Sequence, residues 1–172
     1  GMIGIVPQKA VLFKGTIRHN MQWRDKNATD EDIWNALDIA QAKDFVEKKP
    51  DKLDEMILQE GKNLSGGQRQ RLTIARALVG DPEILILDDS ASALDLATDA
   101  RLRKAIHEKT SGMTVFIVSQ RISSIKSADK IIVLDDGKIA GIGTHSELYK
   151  GCEVYKEICL SQLSEKEAQA NG

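Results

Sequence analysis

Three unbroken apolar runs in the second half of the chain restrict its fold most strongly. They read "EILILDD", "TVFIVSQ" and "KIIVLDDGKIAGIG", and the helical pattern "ATDARLRKAIHEKT" separates the first two. Strands without polar alternation are buried on both faces, as in parallel sheets that helices cover. Within the third run, "DDG" is a turn signal that predicts a hairpin at one edge. The pattern predicts an α/β fold built on a parallel sheet.

Residues 29–80 show helical periodicity instead. Thr29 is placed to cap a first helix, with Asp32 three residues later and apolar residues on one face. Ser65 and Gln68 form a second capping-box pattern at the start of "SGGQRQRLTIARAL". We therefore expect a helical subdomain whose last helix begins at Ser65.

The charge balance excludes one broad class of function. The 172 residues carry 24 basic and 26 acidic side chains, a net charge of -2. This is not the basic surface of a general nucleic-acid-binding protein, so we expect no nucleic-acid partner. The apolar runs are also far shorter than the ~20 residues that cross a bilayer as a helix. If a membrane is involved, another segment or chain must cross it.

The run "LILDDS" places two carboxylates, Asp88 and Asp89, where a predicted strand ends. The carboxyl edge of a parallel sheet is where α/β proteins bind their ligands. Asp88 is placed to hold Mg²⁺, and Asp89 to orient or deprotonate an attacking water. Taken alone, the run also fits a strand that leads into an aspartate-rich turn.

The run "NLSGGQRQRL" opens a helix with one serine and two glycines. Glycines let a backbone approach an anion closely, and the start of a helix favours negative charge. The run therefore suits phosphate binding, although capped helices with glycines are common in other settings.

The order of the motifs is more specific than any one of them. An apolar strand, "IGIVPQ", ends at Gln8 and is followed by "VLFKGTIRHN", "NLSGGQRQRLTIARAL", "ILILDDS" and "SALD". These segments resemble the Q-loop region, the signature motif, the Walker B strand and the D-loop of the nucleotide-binding domain of ATP-binding cassette (ABC) transporters, and more narrowly of exporters. The likeness runs from Ile3 to about Tyr155.

This resemblance implies a partial P-loop NTPase core with a helical signature subdomain, and ATP and Mg²⁺ as cofactors. In the family, two such domains pair head to tail, and the signature of one faces the γ-phosphate held by the other. A transmembrane domain, the other implied partner, places them at the cytoplasmic face of the membrane. The site residues implied by the matching motifs are Gln8 (Q-loop, Mg²⁺ and attacking water), Ser65, Gly66, Gly67 and Gln68 (signature, ATP), Asp88 (Mg²⁺), Asp89 (general-base position), Ser92, Ala93, Leu94 and Asp95 (D-loop) and Gln120 (position of the switch histidine).

One departure from the family pattern is the phosphate-binding loop. No G-x-x-x-x-G-K-[ST] occurs in the 172 residues, since neither Gly61-Lys62 nor Gly137-Lys138 fits it. Without this loop the chain lacks its own phosphate cradle, its lysine and its Mg²⁺-binding hydroxyl. We expect a fragment that begins at the Q-loop, lacks the N-terminal Walker A part and does not hydrolyse ATP alone.

Two further departures weaken the catalytic positions. Asp89 is one methylene shorter than the family's glutamate, which withdraws the carboxylate by roughly 1.5 Å, and a misplacement of about 1 Å can cost on the order of a hundredfold in rate. Gln120 can donate a hydrogen bond but cannot become cationic. Together with an intact signature, these changes resemble the degenerate half of a heterodimeric exporter.

We divide the chain into a Q-loop strand and connection (1–28), a helical subdomain (29–80), the rest of the ATPase core (81–151) and a C-terminal helix and tail (152–172). In complete members of the family, the phosphate-loop strand lies between the strands that match "TVFIVS" and "KIIVLDD". Its absence predicts a gap or a re-paired sheet, with exposed apolar surface.

Two alternatives to an exporter subunit remain. One is a non-catalytic, truncated or regulatory protein that binds a partner without turnover. The other is the carboxyl-terminal lobe of a chromosome-maintenance ATPase, which also carries a signature and Walker B without Walker A. Gln8 and the helical insertion share a segment with the signature, and no heptad arm is present, which argues against that lobe.

Restoring the family residues tests whether this half-site is degenerate. In a full-length chain, Asp89→Glu together with Gln120→His is expected to raise ATP turnover at this site, because the carboxylate regains its reach and the side chain at position 120 can become cationic. Steady-state ATPase assays measure the change. Unchanged turnover would contradict the hypothesis.

Overall fold

The computed structural model describes the backbone of residues 3–170 and the side chains of residues 3–163, in two compact units that divide between Val118 and Ser119. Two single 3₁₀ turns lie at Lys52–Asp54 and Gln59–Gly61. The first unit contains β1 (Ile3–Val6), β2 (Gly15–Thr16), α1 (Ile17–Met21), α2 (Asp30–Ile39), α3 (Lys43–Glu47), β3 (Met56–Ile57), α4 (Gly66–Leu78), β4 (Ile84–Asp88), α5 (Leu96–Lys109) and β5 (Thr114–Val118). The second contains α6 (Ile122–Ile125), β6 (Ile131–Asp135), β7 (Lys138–Gly143), α7 (His145–Gly151) and α8 (Glu153–Ala170).

The first unit is built on a three-stranded parallel sheet in the order β1-β4-β5. Ile5 lies opposite Ile86, which lies opposite Phe116 on the other side. The predicted parallel sheet is therefore confirmed. The strand expected to end at Gln8 ends at Val6, and the next residue, Pro7, has no N–H with which to continue the ladder.

Helices cover one face of this sheet. Val6, Leu85 and Leu87 are buried in the main apolar core together with residues of α2 and α4. Gly4 allows α4 to come close, since a Cβ at this position would lie 2.6 Å from the carbonyl oxygen of Ala77. The close approach of β1 to α4 thus depends on a residue without a side chain.

The opposite face of the sheet is apolar and exposed. Ile5 is 61% exposed and Phe116 54% exposed, and Ile3 and Val118 extend the same surface. The expectation that both faces are covered is wrong within residues 3–163. A run of apolar residues shows that a strand can be buried, but it does not show what lies against it. The expected exposure of apolar surface is confirmed.

The helical segment forms as its capping signals predict. Thr29 and Asp32 make a capping box at the start of α2, and Ser65 and Gln68 make another at the start of α4. Each box satisfies N–H groups that a helix start otherwise leaves without partners. Helix α4 then buries Leu72 and Ile74 completely, which anchors it between the sheet and α2.

The second unit contains the predicted hairpin. Strand β6 pairs with β7 in an antiparallel sheet of two strands, separate from the parallel sheet. Asp136 and Gly137 at the turn have φ of 45° and 72°, and two positive values are what a tight type I′ turn requires. Among the described strands, β6 and β7 pair only with each other.

A buried tyrosine organises the core of the second unit. Tyr155 is 1% exposed and lies in a cluster with Ile131, Val133 and Leu148. Its hydroxyl lies 2.8 Å from Nδ1 of His145. Burial, with a smaller contribution from the neighbouring Cys159, raises the pKa of Tyr155 to about 12.

No helix within residues 3–170 is long and apolar enough to span a bilayer.

The exposed sheet face predicts self-association of the isolated chain. Exposed apolar patches of this kind mark interaction sites or aggregation-prone surfaces. We expect oligomers in light scattering at high concentration, and a smaller mean mass for the double variant Ile5→Thr/Phe116→Thr. Leu58→Thr, an exposed leucine outside this sheet, is the matched control. A wild-type monomer at high concentration would contradict the prediction.

The buried tyrosine predicts a loss of stability in alkali. Because the folded pKa lies above the usual value of 10, the stabilisation is complete below pH ~10 and is lost as the pH rises toward about 12. In urea unfolding at a series of pH values, Tyr155→Phe is expected to flatten this alkaline decline. The half-buried Tyr149 of the same unit provides the control variant Tyr149→Phe. Equal slopes for wild type and Tyr155→Phe would count against this role.

Candidate functional site

Two consecutive carboxylates stand at the carboxyl edge of the parallel sheet. Asp88 is the last residue of β4 and is exposed. Asp89 follows with a φ of 46°, a left-handed conformation that aspartate tolerates better than most residues. Its N–H donates to the carbonyl oxygen of Val118 at 2.8 Å, which fixes the turn on the neighbouring strand. The side chains of Asp88 and Asp89 are thereby presented at the edge where α/β proteins bind ligands.

Gln8 reaches the same edge from the adjacent strand. Val6 of β1 pairs with Leu87 of β4 in parallel, so the residues that follow the two strands emerge side by side. Nε2 of Gln8 donates to Oδ2 of Asp89 at 3.3 Å. The structure therefore brings together Gln8 and Asp89, which are far apart in the sequence. The amide oxygen of Gln8 remains available as an acceptor.

The oxygens at this edge have the chemistry of a magnesium site. Mg²⁺ prefers oxygen ligands and is usually held by one or two carboxylates plus the phosphates of a substrate. The Asp88 carboxylate and the Gln8 amide oxygen fit that pattern. Within the described residues no group of three or more His, Cys, Asp or Glu side chains could hold a metal by itself. A magnesium ion at this edge would thus need further ligands besides these side chains.

The first turn of α4 presents a capped, glycine-lined helix start. Ser65 Oγ accepts the Gln68 N–H and Gln68 Oε1 accepts the Ser65 N–H, each at 3.1 Å. Gly66 and Gly67 follow the cap and are half-buried. A helix of 13 residues carries a partial positive charge at this end, about half an elementary charge. The turn combines backbone donors with a positive potential, as anion binding requires.

The D-loop lies directly against this turn. A Cβ on Gly66 would lie 3.7 Å from Cβ of Ala93, and one on Gly67 would lie 3.4 Å from the Ala93 carbonyl oxygen. Leu94 is buried beside them. Within one chain, the first turn of α4 (residues 65–68, the signature turn) and the D-loop (residues 92–95) therefore form a single packed surface.

Both ends of the D-loop are tied down. At its start, the Ser92 N–H donates to the Asp89 carbonyl oxygen at 3.4 Å. At its end, Asp95 caps α5 and accepts hydrogen bonds from the backbone N–H and the hydroxyl of Thr98, both at 2.8 Å. These hydrogen bonds hold the pKa of Asp95 below its usual value. Asp95 thus serves as a helix cap that stays ionised.

Sequence reasoning missed Gln70, which connects the two motifs. It is only 5% exposed. Its Oε1 accepts the Ala93 N–H at 2.9 Å, and its Nε2 donates to Ser92 Oγ at 3.3 Å. The sequence periodicity gave no signal for it, because Gln70 lies on the side of α4 opposite the apolar residues Leu72, Ala75, Leu78 and Val79.

Gln120 belongs to the second unit. Its side chain is exposed, and its carbonyl oxygen accepts a hydrogen bond from Nε2 of Gln162 at 2.6 Å. Oε1 of the same Gln162 accepts the Ile122 N–H at 2.9 Å. Helix α8 therefore fixes the backbone on both sides of Arg121.

Comparisons with known proteins agree with this architecture. The sequence model of the ABC transporter family matches residues 1–92. The chain is 45% identical over 168 residues to the uncharacterized ABC transporter ATP-binding protein YfiB of Bacillus subtilis strain 168, covering 98% of this chain and 29% of that protein. It is 42% identical over 163 residues to a putative export ATP-binding/permease protein of Rickettsia felis, covering 95% and 28%.

A solved structure matches as well. The structure of a bacterial Atm1-family ABC exporter with ATP bound superposes with a TM-score of 0.89 at 35% identity, over 94% of this chain and 28% of that chain. The chain therefore spans less than a third of the length of the proteins it matches. Sequence and fold together show that the chain belongs to the ABC transporter family and has the fold of an exporter-type ATP-binding domain.

Proposed function

We propose that the chain supplies the signature motif and D-loop to an ATP molecule held chiefly by a partner ATP-binding domain, and so helps to power an exporter. The observation that carries this proposal is the capped first turn of α4, with two glycines at the helix start and the D-loop packed against them. In the family that the chain matches, two such domains pair head to tail, so the phosphate that this turn faces is assigned to the partner.

The chemistry of this contribution is electrostatic. A terminal phosphate is bound by Ser65, by the backbone N–H groups of Gly66 and Gly67, and by the positive end of the helix. This electrostatic attraction strengthens as negative charge develops on the phosphate during phosphoryl transfer. Gln68 is held in the capping box, so it keeps the turn rigid. These groups thereby stabilise the charged phosphate without a lysine side chain.

The second contribution lies at the edge occupied by Gln8, Asp88 and Asp89. Gln8 holds the Asp89 carboxylate by its amide, and Asp88 offers oxygen to a magnesium ion, which neutralises phosphate charge when bound. The short Asp89 side chain leaves its carboxylate further from an attacking water than a glutamate would. We therefore assign slow hydrolysis to this chain's own half of the assembly, with Gln120 in place of a switch histidine, and a competent site to the partner.

The partner is then a second, different ATP-binding domain, and both domains sit at the cytoplasmic face of a membrane through a transmembrane domain.

A non-catalytic, partner-binding role is the second candidate, and the exposed apolar sheet face at Ile5 and Phe116 favours it. The matches to ABC transporter proteins argue against the chromosome-maintenance alternative.

The proposal is tested by measuring ATP turnover of the chain alone and after mixing with an exporter domain that has an intact phosphate loop. We expect no turnover alone and stimulation on mixing. Turnover by the chain alone would contradict the assignment of the phosphate to a partner. Binding without stimulation would favour the non-catalytic candidate.

A matched pair of cap variants identifies the contribution of the signature turn. Ser65→Ala and Thr29→Ala each remove one capping box and are each expected to cost about 1 kcal/mol of stability. Only Ser65→Ala also removes a group at the proposed phosphate site. We expect stimulated turnover to fall at least tenfold more for Ser65→Ala, an energetic difference of ~1.4 kcal/mol. Equal losses would show that the cap acts only on folding.

A further inference from the structure

We infer that Gln70 is a positioning residue that locks the D-loop onto the signature helix, so that the proposed phosphate-facing turn and the Asp89 turn are held as one unit. The inference rests on the function proposed above. It assigns a role to a side chain that does not itself face the nucleotide site.

The placement of Gln70 is that of a structural link. The residue lies in the first half of α4 and is almost fully buried. Burying an amide without partners costs free energy, so buried amides are retained where both their donor and their acceptor are used. Here the acceptor binds the Ala93 N–H, and a donor binds Ser92 Oγ. Both partners belong to the D-loop, 22 and 23 residues further along the chain.

The link continues in both directions. Toward the helix start, Gly66 and Gly67 pack on Ala93. Toward the sheet, Ser92 donates its N–H to the Asp89 carbonyl oxygen. Gln70 therefore connects a turn that faces a partner's phosphate to the turn that carries this chain's own carboxylate.

Two neighbouring polar side chains of α4, Thr73 and Arg71, make hydrogen bonds of a different kind. Thr73 is equally buried, but its hydroxyl donates to the carbonyl oxygen of Arg69 within the same helix at 2.9 Å. The guanidinium of Arg71 instead donates hydrogen bonds to the carbonyl oxygens of Gly67 and Gln41. The described hydrogen bonds of Thr73 and Arg71 thus stay within the helical segment, whereas those of Gln70 reach the D-loop.

The test compares Gln70→Met with Thr73→Val in the assembled transporter. Each replaces a buried polar side chain of α4 by an apolar one of similar size, but only Gln70→Met releases the D-loop. Hydrogen–deuterium exchange of the peptide covering residues 90–95 reports how strongly the Ala93 N–H is protected. Because Ala93 is itself exposed, this protection depends on its hydrogen bond rather than on burial. Steady-state kinetics report kcat and KM for ATP separately.

We expect Gln70→Met, and not Thr73→Val, to speed exchange in this peptide and to lower kcat by on the order of 10- to 100-fold, the size that a displacement of about 1 Å produces. KM should change less than about threefold, because the phosphate-facing groups are still present. Gln70→Glu keeps an acceptor for the Ala93 N–H and should restore part of the slow exchange.

Three results would overturn the inference. These are unchanged exchange in Gln70→Met, faster exchange with wild-type kcat, and equal kinetic losses in Gln70→Met and Thr73→Val. A wild-type assembly without turnover would refute the proposed function instead. Exchange in residues 90–95 would still decide whether Gln70 holds the D-loop.

Discussion

The parallel pairing of β1 with β4 is the contact on which the rest of the first unit depends. It sets Val6 beside Leu87, so the chain leaves both strands at one edge and Gln8 meets Asp89. It also lays β1 on α4, with Gly4 at the closest approach. A parallel pair of strands needs a long crossover connection, and in this chain the helical segment with α2 and α4 lies within that crossover. The helix that begins after Ser65 is thus fixed by the two strands that lead to Gln8 and to Asp88.

The D-loop fills the space between these two groups. A buried glutamine, a helix cap at Asp95 and the packing of two glycines hold it in place. Loops that carry function are usually positioned by a rigid scaffold. Here the scaffold holds the loop at three places, which explains how a segment of four residues keeps a defined position although Ser92, Ala93 and Asp95 are exposed.

The sequence predicted those elements of the fold that leave a local signal. The capping boxes at Thr29 and Ser65 are spacing patterns within four residues, and the hairpin turn at Asp136 and Gly137 is a dipeptide signal. The exposed sheet face was not foreseen from strand composition, since an apolar strand does not specify its cover. The boundaries proposed for the four segments remain predictions.

The sequence indicated candidate site residues one by one but not the geometry in which they lie. Motif spacing indicated Gln8, Asp88 and the glycines, and the structure places Gln8 against Asp89. The bond from Gln70 to Ala93 joins residues 23 positions apart, and no periodicity reports such a contact. The left-handed backbone of Asp89 likewise depends on the turn that Val118 holds, which a strand pattern does not include.

Gly4 gives this arrangement an unexpected weak point. It lies on a strand within the core, away from every residue assigned to phosphate or metal, yet its missing side chain allows β1 to rest on α4. A methyl group there would lift the strand off the helix and carry Gln8 away from its partner. In a mutational screen for lost function, this glycine would therefore be scored together with Gln8 and Asp89, although no side chain at its position could touch either of them.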